Sequence, residues 1–141
     1  MKPTLMFKAS LGLLFAIAAS TSNAGVVVVV SAKSEVTTLS KAQVSQLFLN
    51  KASNFPGGAA AAPVDQAAGA SRNEFYTKVA SKDAAQMKAY WAQLTFTGKG
   101  TQPKQRGSGG DVKKFVAGST SAIGYIDAGD VDASVRVVLT P

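Results

Sequence analysis

Histidine and cysteine are both absent from these 141 residues, and only 8 acids face 15 lysines and arginines. Without histidine the chain lacks the commonest general base, the commonest metal ligand and any Ser-His-Asp arrangement. Without cysteine it has no disulfide, no thiolate nucleophile, no Cys-based metal site and no N-terminal thiol to carry lipid. Phosphate loops are missing too. Gly98-Lys99-Gly100 lacks the Gly-Lys-Ser/Thr ending, and no G-x-G-x-x-G follows a strand-like run. Asp127, Asp130 and Asp132 lack the length and terminal glutamate of an EF-hand loop, and read as a solvated turn between strands. The expectation is a protein that is not an enzyme, with no metal and no cofactor.

What is present points to a globular, exported chain. Apolar residues make up 46% of the sequence, enough for one packed domain. Met1 to Ala24 has the three parts of a secretory signal: Lys2 and Lys8, the apolar run Leu11 to Ala19, and Ser22-Asn23-Ala24 before the cleavage point. That apolar run is short for about 30 Å of hydrocarbon, so cleavage is expected rather than anchoring. The expected organisation is a signal over 1–24 and one α/β domain over 25–141, periplasmic or secreted after cleavage near Ala24. Cleavage removes two lysines from a formal net charge of +7 and leaves the chain basic. Its lysines are scattered, Lys113-Lys114 being the only adjacent pair, with no aromatic-interleaved basic stripe. No nucleic-acid partner is expected.

Periodicity predicts alternating strands and helices. Val26 to Val30 is a β-branched run suited to a strand covered on both faces, as at the centre of a parallel sheet. Ser40-Lys41-Ala42-Gln43 has capping-box form, and Val44, Leu47 and Phe48 follow at helical spacing. A weak strand is expected over Ala60 to Gln66, and a helix from Ser71. Another helix spans Asp83 to Leu94, its Met87, Trp91 and Leu94 forming a core face. Phe96 to Gly110, rich in Gly, Lys, Thr and Gln, reads as a long exposed loop. Ser108-Gly109-Gly110-Asp111 opens a helix with Val112, Phe115 and Val116, and Ala117-Gly118-Ser119 closes it. Ala122 to Ile126 and Ser134 to Leu139 complete the set as strands. The pattern is that of an α/β domain with a mixed, mostly parallel sheet flanked by helices.

Residues Val64 to Phe75, V-D-Q-A-A-G-A-S-R-N-E-F, form a strand end, a small-residue turn and a helix start. Backbone N–H groups at a helix start have no partners within the helix, and the macrodipole there favours negative charge. An oxyanion could be held by the N–H groups of Ala70 to Asn73, the Ser71 hydroxyl and the Arg72 fork. A purely structural role is equally physical, since Ser71-x-x-Glu74 has capping-box form. Ser108, with Gly109 and Gly110, is a second cradle of the same kind.

Taken in order, several segments resemble the substrate-binding proteins of phosphate ABC importers. These are Leu39 to Phe48 followed by N-K-A-S-N-F, V-D-Q-A-A-G-A-S-R-N-E-F, F-T-G-K-G, G-S-G-G-D-V-K-K-F-V and A-I-G-Y-I-D. The resemblance covers nearly all of the chain after the signal. It implies a periplasmic-binding-protein-like α/β fold and an oxyanion held in a cleft between two lobes, of which this chain has residues for one. The family turn reads R-A-x-G-S-G-T, with the arginine and the small hydroxyl residues on phosphate. Here Gln66 stands at the arginine position and Ala70-Ser71-Arg72 at the Ser-Gly-Thr positions. The implied ligand-binding set is Gln66, Gly69, Ala70, Ser71, Arg72 and Asn73, joined by Ser108. The implied partners are a phosphate-like oxyanion and either an ABC importer membrane component or a second lobe or subunit. The other expectation is a single-lobe interaction or envelope protein that keeps the fold without tight solute binding.

Overall fold

A computed structural model describes residues 25–141, and the signal read over Met1 to Ala24 lies outside the described residues. Strand β1 (Val26–Ser31) leads to helix α1 (Lys41–Phe48), then β2 (Ala62–Gln66), α2 (Ala70–Ala80) and α3 (Ala84–Thr97). The short β3 (Lys104–Arg106), α4 (Gly109–Ala117), β4 (Ala122–Asp127), a 3-10 turn (Ala128–Asp130) and β5 (Val135–Leu139) complete the chain. The strands form one sheet in the order β3-β2-β4-β1-β5. No helix among the described residues is long and apolar enough to cross a membrane.

The sheet is mixed, as expected, but not mostly parallel, since its parallel and antiparallel strand pairs are equal in number. β2 runs parallel to β3 and β4, whereas β1 runs antiparallel to β4 and β5. The valine run is buried on both faces, but β4, not β1, holds the middle of the order. Complete burial of β1 comes from helices on both sides, not from parallel neighbours. Val26, Val28 and Val30 pack among α1, α2 and α3, while Val27 and Val29 face α4. Alternate side chains of a strand point to opposite faces, so an unbroken apolar run needs cover on each.

Local sequence explains most helix ends. Ser40 accepts from Gln43 N–H while the Gln43 side chain accepts from Ser40 N–H, and Asp83 and Gln86 do the same at α3. Gly98, in the left-handed region at φ 67°, ends α3 after Thr97. The helix therefore runs into what the composition marked as loop. Within the remainder, Lys104–Arg106 pairs with β2 as an edge strand. Its K-Q-R sequence carries no strand signal, because cross-strand hydrogen bonds, not buried side chains, form it. Gly124 has a different task. A Cβ there would lie 2.5 Å from Val112 Cγ1 and 3.1 Å from Val116 Cγ2, so glycine lets α4 sit close on β4.

Candidate functional site

Parallel strands β2 and β3 end at the same rim, and each is followed by a helix that starts there. From β2 the chain passes through α2 and α3 to β3, outward in the sheet, and returns through α4 to β4 on the other side of β2. The two connections use opposite faces, since α2 packs in one core cluster and α4 in the other. This is a topological switch point, where α/β sheets open a crevice at the carboxyl ends of strands. Both candidate turns, Gly69 to Asn73 and Ser108 to Gly110, border it.

The start of α2 is free of side-chain caps. Its N-cap is Gly69, which has no side chain to cap with, and the first bond runs from Asn73 N–H to Gly69 O at 3.1 Å. The N–H groups of Ala70, Ser71 and Arg72 precede that bond and so have no acceptor within the helix. The Ser71–Glu74 capping box does not form. Because the helix opens at Ala70, Ser71 is already its second residue, and the Glu74 N–H belongs to the i→i−4 ladder. Glu74 instead pairs with Lys78, Oε1 to Nζ at 2.7 Å.

Gln66 and Arg72 are engaged within the protein. The buried Gln66 side chain donates from Nε2 to Tyr125 O at 2.7 Å. It also borders α4, since a Cβ on Gly109 would lie 3.5 Å from Gln66 Nε2. Arg72 donates from Nε toward Asp65 Oδ2 at 3.4 Å, and its guanidinium lies 5.3 Å from the Tyr76 ring centroid. Its Nη edge makes no other ion pair among the described residues. Ser108 caps α4 and is occupied there, its Oγ accepting from Asp111 N at 3.2 Å and donating to Asp111 Oδ2 at 3.0 Å. The α4 start thus carries a carboxylate of its own, whereas the α2 start carries none.

Asp65 organises the site, and sequence reasoning missed it. It is 1% exposed, and Oδ1 accepts from Gln66 N–H at 2.8 Å and from the Tyr125 hydroxyl. Oδ2 accepts from the Tyr76 hydroxyl at 2.6 Å and pairs with Arg72. Burial, reinforced by the Asp65 charge, pushes the Tyr76 and Tyr125 phenols far above their ordinary range. One signal was available. Arg72 and Tyr76 are four apart and share one face of α2, so a buried acid at the end of the preceding strand completes a triad.

Away from this site, Asp132 accepts from the Ser134 N–H and hydroxyl and pairs with Lys113 at 3.1 Å. These bonds hold its carboxyl down at about 2 and build the expected turn. An open surface depression of about 600 Å³ lies not at the α2 start but between β3 and α4. The α2 start is an exposed rim from Ala67 to Ala70.

No family model matches the chain. No curated protein matches it either. Solved structures do. One, described as a phosphate ABC transporter substrate-binding protein from Clostridium perfringens with bound phosphate, is 24% identical with a TM-score of 0.64. The match covers 81% of this chain and 44% of that one. An ABC-type phosphate transport receptor from Vibrio cholerae is 19% identical with a TM-score of 0.55, covering 81% and 45%. A structure described as a possible phosphate binding protein from Planctomyces limnophilus is 12% identical with a TM-score of 0.56, covering 81% and 40%. Such identities speak for fold, not ligand. The chain has a periplasmic-binding-protein-like α/β fold and spans less than half the length of each of these three proteins.

Proposed function

We propose that this chain is an exported solute-binding protein that holds phosphate or a similar small oxyanion, for ABC-type import or for sensing. The uncapped start of α2 carries this reading. It presents three free N–H groups at the switch point of the sheet, with Arg72 in the same first turn of the helix. Each such dipole contact is worth roughly 0.3–1 kcal/mol when exposed, so affinity requires several of them together and exclusion of water. The proposed partners are therefore an importer membrane component, or a second lobe or subunit that closes over the rim. None of the three fold neighbours is described as an enzyme, which supports a binding role.

Calorimetry of the protein beginning at Gly25, with phosphate, sulfate and other oxyanions, tests the proposal. Heat that saturates with one oxyanion supports it, and no heat for any of them at millimolar ligand removes it. A single-lobe interaction or envelope protein without tight solute binding has its own supporting observation. Gln66, at the family's arginine position, has its amide on Tyr125 O, and Arg72 Nε is turned to Asp65. Native mass spectrometry of the unwashed protein separates the two, since a monomer with a bound small ligand contradicts the interaction role. Export is tested by N-terminal sequencing of the secreted material, with Gly25 expected first.

A further inference from the structure

The depression between β3 and α4 is lined by Gln105, Arg106, Gly107, Asp111, Lys114 and Phe115. The Arg106 guanidinium lies 4.4 Å from the Phe115 ring centroid, and its Nε is buried there with no hydrogen-bond acceptor. Neither Arg106 nor Lys114 belongs to any ion pair among the described residues, although the neighbouring Lys113 pairs with Asp132. The only acid in the wall, Asp111, accepts from Ser108 at the start of α4. The other charged residues of the wall, Arg106 and Lys114, are cationic.

We propose that this corner docks an extended, acidic segment of a partner protein along the outer edge of β3, with carboxylates on Arg106 and Lys114. Three observations select this occupant. The first is position: β3 ends the sheet, and with Arg106 O accepting from Ala67 N on the β2 side, the N–H and C=O of Gln105 face away from β2. A main-chain anchor therefore lies between Lys104 and Arg106, as in recognition by strand addition. The second is shape, since the depression is an open surface groove beside the strand edge and not an enclosed pocket for a single ion. The third is charge. Lys104 and Arg106 on so short a strand would repel the same edge of a second copy, whereas acidic side chains complement it.

Fluorescence anisotropy at low salt with a labelled, acetylated hexapeptide alternating threonine and glutamate tests this on the protein beginning at Gly25. The expected result is saturable binding that falls at least tenfold in the Arg106→Gln, Lys114→Gln double variant. Replacing the glutamates with lysine should abolish binding, and N-methylating one central amide of the peptide should weaken it. The proposal is overturned by no binding at millimolar peptide, by equal binding to wild type and double variant, or by indifference to N-methylation. Amide NMR supplies an independent arm. Shifts at Gln105 and Arg106 with peptide are expected, and the same shifts with inorganic phosphate alone would show a small-anion pocket instead. Loss of oxyanion heat through Arg72 leaves this result untouched, so the two sites fail or stand separately.

Discussion

Arg72 Nε lies 3.4 Å from Asp65 Oδ2, tying the first turn of α2 to the end of β2 through an ion pair that is largely buried. The Asp65 side chain is 2% exposed and that of Arg72 14%. The pair has two consequences. It holds the Arg72 guanidinium through its Nε, and it makes the geometry of the candidate site depend on a residue that no ligand need touch.

Asp65→Asn should therefore destabilise the fold by about 3 kcal/mol, because removing one partner of a buried pair leaves the other charge uncompensated. Urea unfolding measures this directly. A loss below about 1 kcal/mol would place Asp65 among ordinary surface ion pairs.

Arg72→Lys keeps the charge but loses the planar fork, which can face Asp65 with one edge and an anion with the other. Oxyanion affinity should fall roughly tenfold, about 1.4 kcal/mol, with a smaller loss of stability than in Asp65→Asn. Calorimetry paired with thermal unfolding reads both quantities. Unchanged affinity would put the ligand elsewhere.

Tyr76 and Tyr125 are held neutral in the fold above the value of 10.0 at which they ionise in the unfolded chain. The unfolded state then releases protons first as pH rises, so the stability these phenols contribute is complete below pH 10 and declines above it. Thermal midpoints should drop steeply between pH 10 and about 12. Tyr76→Phe with Tyr125→Phe should flatten that slope while costing about 1–3 kcal/mol per hydroxyl at neutral pH. A slope unchanged in the double variant would assign it to lysines instead.

Gly124→Ala places a methyl 2.5 Å from Val112 Cγ1, a distance that real Cβ contacts do not adopt. Helix α4 must shift away from β4, at a cost of about 1–3 kcal/mol. Because α4 begins at Ser108, an amide NMR comparison should show displaced resonances at Ser108 and Gly109 as well as at the mutated strand. Shifts confined to Gly124 and its immediate neighbours would show a rigid α4.

Much of the fold was legible because its signals are local. Val26 to Val30 marked a strand buried on both faces, the Ser40–Gln43 capping box marked the start of α1, and Met87 with Trp91 marked the inner face of α3. Strand β3 was not legible, since its three polar residues are ordered by hydrogen bonds to β2, 40 positions earlier in register. The Ser71–Glu74 box was a local signal that failed. Gly69 took the cap position two residues earlier, and Glu74 found Lys78 instead.

By itself, the sequence determined what chemistry is absent, where apolar periods change, and which turn has the residues of an anion cradle, because all three depend on residue type and spacing along the chain. Only the tertiary structure decided which polar groups of that turn remain free. Gln66 is drawn to Tyr125 and Arg72 to Asp65 across separations of 59 and 7 residues, and it is burial that compels those partnerships. A polar group removed from water must find its partner wherever the fold has brought one, and no local pattern records that place.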